Sequence, residues 1–276
     1  VYTGAMYSTA SGGGTVRPEF DILTGLTTDY LQDVASPYEL VDDSVEGYVS
    51  NYHDAGYRTV AIHPYDKTFY RRSEAYPYLG FDEFYGERDL AQWMDLEYNP
   101  GGHVTDASTL KAIKTVLDGA EEPTFLFAIT MENHQPYEAL SPEDIRIQVD
   151  APMLDDTTRD AVTTYTQGVA DADRMLGELV EYLDGRERPT VLLFYGDHIP
   201  TLGANRAAYY ETGAISDEMP VTERMAYLFS TPYLIYTNTG AESGMLTKGG
   251  KNEISTYYLL EVVAEMTGFR QTPYMQ

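Results

Sequence analysis

Asp197 and His198 stand side by side just after the apolar run 191–195. A carboxylate and an imidazole are both ligands for a divalent metal. The end of such a run is the C-terminal edge of a buried strand, where open α/β sheets build their sites. A strand-end aspartate capping a turn beside a surface histidine is the competing reading. The second group is Ser11-Gly12-Gly13-Gly14-Thr15, a glycine run ending in a hydroxyl. Phe20, Leu23 and Leu26 predict a helix from about residue 18. Thr15 then lies near a helix N-terminus, where free amides and partial positive charge favour an anion. Glycines let the backbone approach a ligand closely. A threonine hydroxyl is a poor nucleophile until a metal or a base lowers its pKa, and a flexible surface loop is the alternative here. The expectation is one metal-dependent site assembled from these two segments.

Two further clusters carry chemistry. His63-Pro64-Tyr65-Asp66-Lys67-Thr68-Phe69-Tyr70-Arg71-Arg72 is a basic stretch in a very acidic chain. Arginine forks suit phosphate oxygens, although a solvated loop paired with nearby acids explains the same residues. Asn133-His134-Gln135-Pro136-Tyr137 places a histidine that can donate to a phosphate oxygen or move a proton, or that is simply satisfied within the fold. His53 and His103 have no such context and read as structural or surface residues.

The elements that must position these groups alternate between strand and helix. Asp43-Ser44-Val45-Glu46 has capping-box spacing, with Val45, Tyr48, Val49 and Tyr52 at helical intervals and a stop at Gly56. Residues 59–62 predict a buried strand ending at His63, 106–118 a helix, and 124–130 another buried strand. Val162, Tyr165, Val169, Ala172, Leu176, Leu179 and Leu183 step by three and four, predicting a long amphipathic helix closed by Gly185. Strands at 191–195 and 233–236 and a helix over 254–267 follow. Continuous apolar strands alternating with helices predict an α/β fold with a mostly parallel sheet covered on both faces. His63, His134 and Asp197-His198 then share one sheet edge.

With 276 residues the chain can bury a substantial core, and 43% hydrophobic against 22% charged residues makes it a folded protein. No apolar stretch approaches a membrane span of about 18 residues, and no signal peptide is visible at the start. The net charge of -26, from 18 Lys+Arg against 44 Asp+Glu, opposes nucleic acid and anionic surfaces at long range. Screening confines that field to about 8 Å at physiological salt, so a local basic pocket can still take an anion. The absence of cysteine excludes disulfides and thiol nucleophiles.

Taken in order, Gly-Gly-Gly-Thr15 with Glu19-Phe20, Gly56-Tyr57 leading to His63, Phe69-Tyr70-Arg71-Arg72, Leu79-Gly80-Phe81-Asp82 with Phe84-Tyr85, Asn133-His134-Gln135-Pro136-Tyr137 and Tyr195-Gly196-Asp197-His198 resemble the extracellular catalytic domain of lipoteichoic acid synthases and related phosphoglycerol transferases. These form a sulfatase-like branch of the alkaline phosphatase superfamily. The resemblance implies that residues 1–276 form one sulfatase-like domain, with Thr15 both nucleophile and metal ligand and Asp197 and His198 holding the metal. The metal would be Mn2+, with Mg2+ or Zn2+ as alternatives. His63, Arg72 and His134 would hold the phosphoglycerol group, Tyr70 would pack on glycerol, and Asp66 would contact it. Phosphatidylglycerol would be the donor and a glycerophosphate polymer or glycan the acceptor, at the outer face of a bacterial cell membrane. The resemblance also implies that the family's first metal ligand, a glutamate on an early strand, and its membrane helices lie outside this sequence. Contact with the membrane would come only through such segments, metal occupancy would suffer without the glutamate, and a sheet edge would be exposed. Rival readings are another sulfatase-like hydrolase, a phosphoethanolamine transferase, and a non-catalytic domain binding glycerophosphate or glycan. A formylglycine sulfatase is disfavoured because no Cys/Ser-x-Pro-x-Arg motif occurs.

Overall fold

The computed structural model describes residues 1–31 and 34–269. In chain order the elements are β1 (Tyr2–Tyr7), α1 (Val16–Thr24), α2 (Tyr48–Asp54), β2 (Arg58–His63), α3 (Arg72–Leu79), β3 (Glu83–Gly86), α4 (Glu87–Leu90), α5 (Asp106–Asp118), β4 (Thr124–Ala128), α6 (Asp156–Asp184), β5 (Val191–Tyr195), α7 (Ala207–Glu211), α8 (Val221–Phe229), β6 (Ser230–Thr237), β7 (Asn252–Ser255) and α9 (Leu259–Thr267). The expected α/β class is what the chain forms. Three of its five strand pairings are parallel: β2 with β3, β2 with β4, and β1 with β7. The other two are antiparallel, β6 lying between β5 and β1.

The strands divide into two ladders, β5-β6-β1-β7 and β3-β2-β4. Side chains of β4 and β5 reach the same apolar clusters on both faces. Leu126 and Phe194 share one with α5 and α6, and Phe125 and Leu193 share another with α9. No backbone hydrogen bond joins these two strands among the described residues. A third cluster seats α1, α2 and α3 on Ala61 and Phe127. The core therefore runs unbroken under both ladders, while the backbone ladder is interrupted at β4 and β5.

Several local expectations need correction. The capping box at 43–46 is not used. Gly47 is the N-cap of α2, its amide donating to Ser50 Oγ at 2.9 Å, and Val45 instead donates its amide to Tyr78 O. The expected helix over 254–267 begins only at Leu259. Its first residues belong to β7, because Asn252 joins the sheet beside β1 and also donates to Thr3 O at 2.9 Å. β1 and β3 were not anticipated. Gly4 and Ala5 at the centre of β1 carry little strand signal. Gly4 is required there by close approach: a Cβ would lie 2.2 Å from Asn252 O and 2.7 Å from the Tyr233 ring. The α1 helix begins at Val16, two residues earlier than expected.

Gly4→Ala should therefore lower stability by about 2 kcal/mol or more, read as a reduced denaturant midpoint. Gly177→Ala, in α6 with nothing within 4 Å of the new methyl, should raise stability by roughly 0.5–1 kcal/mol.

Candidate active site

Gly12, Gly13 and Gly14 all have positive φ, of 79°, 139° and 92°. Such backbone is strained for residues with a Cβ, so the run folds back sharply into α1. Gly12 anchors it by donating its amide to Ile199 O at 2.8 Å and accepting from Thr201 Oγ1 at 3.1 Å. Thr15 is the N-cap residue of α1, but its side chain makes no capping hydrogen bond. Its hydroxyl lies 3.4 Å from His198 Nε2 instead. His198 Nε2 is also 3.4 Å from Asp197 Oδ2. Thus Thr15, Asp197 and His198 meet, although 183 positions separate the threonine from the histidine.

His198 Nδ1 lies 3.0 Å from Ile199 O. In the neutral ring this bond puts the proton on Nδ1 and leaves a lone pair on Nε2, the state a metal ligand requires. A carboxylate oxygen and a hydroxyl oxygen flank that lone pair. The three side chains therefore fit part of a divalent-cation site, offering one nitrogen and two oxygen donors. Among the described residues no group of three or more His, Cys, Asp or Glu side chains is placed to hold a metal ion. Ser8 supports the arrangement by donating to Asp197 O at 2.5 Å.

One helical turn beyond Thr15, Glu19 is buried with Arg72, each side chain 1% exposed. Arg72 Nη2 donates to Glu19 Oε2 at 2.7 Å, and Tyr38 and Tyr76 hydroxyls each donate to Oε1 at 2.7 Å. Burial opposes the charge on Glu19, but the guanidinium and the two hydroxyls outweigh it and hold its pKa below the ordinary carboxylate value. Burial likewise opposes the Arg72 charge and is outweighed by Glu19, so the guanidinium stays charged. Arg72 Nη1 is buried without a hydrogen-bond partner, and so is His63 Nδ1. His63 is 3% exposed. Burial, then the Arg72 charge, lower its pKa to about 3. His63 also feels the charges of Glu19 and His134, which puts all four groups in one neighbourhood.

The remaining expected residues are placed differently. Tyr70 lies under the Arg72 guanidinium, whose Cζ is 5.2 Å from the ring centroid. Tyr70 and Arg71 both adopt left-handed backbone, φ 57° and 60°, a costly conformation that only surrounding structure maintains. Asp66 is exposed, and one of its oxygens accepts from both the amide and the hydroxyl of Thr68, each at 2.8 Å. Within the basic stretch, Arg71 makes the surface pair with Glu74 and Lys67 pairs with Asp89, whereas Arg72 alone turns inward. His134 is exposed on the loop after β4, and the neighbouring Gln135 Nε2 donates to Gly12 O at 3.4 Å. Sequence reading assigned no role to Glu19, Tyr38 or Tyr76. The four-residue step from Thr15 to Glu19 is the sequence signal for a carboxylate one helical turn beyond Thr15. It also missed Arg206, half-buried on left-handed backbone, which donates to Ser11 O at 3.3 Å.

The sulfatase family profile matches residues 1–268. The chain belongs to the sulfatase family. This sulfatase-family chain is 29% identical over 276 residues to a putative cyclic beta-1,2-glucan modification protein of Rhizobium meliloti (strain 1021), covering 98% of this chain and 41% of that protein. It is 32% identical over 145 residues to a lipoteichoic acid synthase of Staphylococcus saprophyticus, covering 52% of this chain and 21% of the relative. The chain thus spans less than half the length of these relatives. Its fold is shared with the Streptococcus pyogenes phosphoglycerol transferase GacH, solved with sn-glycerol-1-phosphate, at a TM-score of 0.78 and 24% identity over 99% of this chain and 67% of that one. The lipoteichoic acid synthase LtaP of Listeria monocytogenes matches with a TM-score of 0.67 and 19% identity, over 98% of this chain and 64% of that one. A Vibrio parahaemolyticus protein of the alkaline phosphatase superfamily has the same fold at a TM-score of 0.61, with 15% identity over 99% of this chain and 60% of that one. The likeness to phosphoglycerol transferases read from the ordered motifs agrees with these matches.

Glu19→Gln should destabilise the protein by about 3–5 kcal/mol, because it leaves the buried Arg72 charge uncompensated; chemical denaturation measures it. His63 makes a pH-dependent contribution of opposite kind. Because its pKa falls from 6.5 to about 3 on folding, the unfolded chain binds a proton in that window that the folded chain refuses. Stability therefore declines as pH drops from the upper value to the lower, by up to about 1.4 kcal/mol per pH unit. His63→Gln should flatten that part of the stability profile.

Proposed function

We propose that this chain is the catalytic domain of a metal-dependent phosphoglycerol transferase that moves glycerol phosphate from phosphatidylglycerol to a polymer or glycan acceptor at the outer face of a bacterial membrane. The observation that carries this reading is the 3.4 Å approach of Thr15 Oγ1 to His198 Nε2, beside the Asp197 carboxylate. A hydroxyl spared from helix capping and set against a lone pair and a carboxylate is a nucleophile waiting to be activated. His198 Nε2, an Asp197 oxygen and Thr15 Oγ1 would hold a divalent cation, manganese by family resemblance, with a further carboxylate needed to complete the shell. When bound, the cation lowers the pKa of the hydroxyl and offsets charge on phosphoryl oxygens.

The chain's own groups account for the remaining work. Thr15 attacks phosphorus, diacylglycerol departs, and a glycerophospho-threonine ester remains until an acceptor hydroxyl displaces it. Arg72 Nη1, a buried donor without a partner, is suited to a phosphoryl oxygen, which would satisfy it. The neutral His63 ring shares a hydrogen with Ile129 backbone, so its partnerless Nδ1 is an acceptor and suits a glycerol hydroxyl. His134, exposed beside the glycine run, is free to pass a proton to the departing oxygen. The sn-glycerol-1-phosphate named with the GacH structure supports the choice of headgroup.

Thr15→Ala should reduce turnover of fluorescent phosphatidylglycerol in vesicles with added manganese by about 1,000-fold or more. Wild-type turnover in this variant would overturn the proposal. A phosphatidylethanolamine arm in the same assay separates a phosphoethanolamine transferase from the reading given.

A further inference from the structure

Behind the loop that carries His134 lies a concave pocket lined in part by Asn99, His103, Glu132, His134, Arg146 and Asp171. It adjoins the Thr15 site, because the next residue, Gln135, bonds to Gly12. Its walls are tied together locally. Asn99 and His103 are joined by two hydrogen bonds, Asn99 N to His103 O at 2.8 Å and His103 N to the side-chain Asn99 Oδ1 at 2.9 Å. Gly168 of α6 sits so close to Asn133 that a Cβ would lie 2.3 Å from its Oδ1.

Two features describe the occupant. His103 Nε2 is buried at the wall without a hydrogen-bond partner. The His103 ring meets the His134 ring edge-to-face at 5.5 Å between centroids, and burial, then the His134 charge, lower its pKa, which keeps it neutral near pH 7. Secondly, the pocket has no uncommitted lysine or arginine among its lining residues. Arg146, the arginine that lines it, holds Asp171 through both guanidinium nitrogens, one at 2.9 Å. Arg174 holds Asp171 as well. The carboxyl groups of Glu132 and Glu138 are further lining groups. Neutral hydrogen-bonding groups between ring edges and carboxylates suit hydroxyls and repel phosphates.

We propose that this pocket is the acceptor subsite and takes a neutral sugar residue of a glycan, not a unit of an anionic glycerophosphate polymer. This rests on the transferase reading above and chooses between its two acceptor classes. The sugar hydroxyl oxygen forms the new bond to phosphorus, the bond from Thr15 oxygen to phosphorus breaks, and the hydroxyl proton ends on Thr15 Oγ1.

Calorimetry on the chain with a neutral gluco-oligosaccharide and, separately, an oligomer of glycerol phosphate tests the choice. The oligosaccharide should bind at least about tenfold more tightly. His103→Leu should weaken it about fivefold or more, and His103→Gln, which keeps a polar group at the wall, should restore it. In the transfer assay His103→Leu should raise KM for the oligosaccharide more than it changes kcat. Tighter or equal binding of the glycerol phosphate oligomer, or unchanged oligosaccharide affinity in folded His103→Leu, overturns the inference. A chain that cleaves donor but binds no oligosaccharide refutes the subsite and leaves the transferase standing. Oligosaccharide binding that depends on His103 without donor cleavage supports the subsite and refutes the transferase.

Discussion

The buried pair between Glu19 and Arg72 is the constraint on which the site rests. Both charges are out of water, and their mutual attraction alone does not guarantee net stability. What makes the arrangement tenable is saturation of the carboxylate by two tyrosine hydroxyls as well as the guanidinium. The same contacts tie α1 to α3 and to the segment around Tyr38. Since Thr15 begins α1 and Arg72 begins α3, the pair fixes the distance between the helix that starts at Thr15 and the basic stretch. Specific geometry, more than bulk stability, is what this polar network contributes.

The opposite wall of the site is held by backbone instead. The glycine run accepts and donates hydrogen bonds to the segment after β5, and Ser8 reaches the Asp197 carbonyl. Side-chain chemistry on one wall and main-chain chemistry on the other leave Thr15 Oγ1 and His198 Nε2 facing each other, with Asp197 Oδ2 beside them.

Much of this was legible from residue order. The long helix closed by Gly185, the helix over 106–118 and the strand at 191–195 follow from periodicity and stop signals that act locally. The approach of Thr15 to His198 was readable only by taking the glycine run and the strand-end Asp197-His198 together, each being ambiguous alone. β1 and β7 were not, since their identity depends on partners more than 200 positions away and Gly4 contradicts strand propensity. The burial of Arg72 was equally hidden. Arg71 and Arg72 are indistinguishable as letters, and only the left-handed turn at Tyr70 and Arg71 sends one outward and the other inward. His103 read as context-free because its neighbour, His134, is brought to it by the loop after β4.

The first strand of the chain is clasped between two of the last, β6 and β7. A ribosome delivers the N-terminal end first, yet β1 has no sheet neighbour until β6, which begins at Ser230, has emerged. Contacts of such sequence separation make folding slow, and they also make it punctual. Before those strands arrive β1 has no ladder to join, although the glycine run can already meet Ile199 and Thr201. Closure of the ladder around β1 therefore waits on segments more than 200 positions downstream.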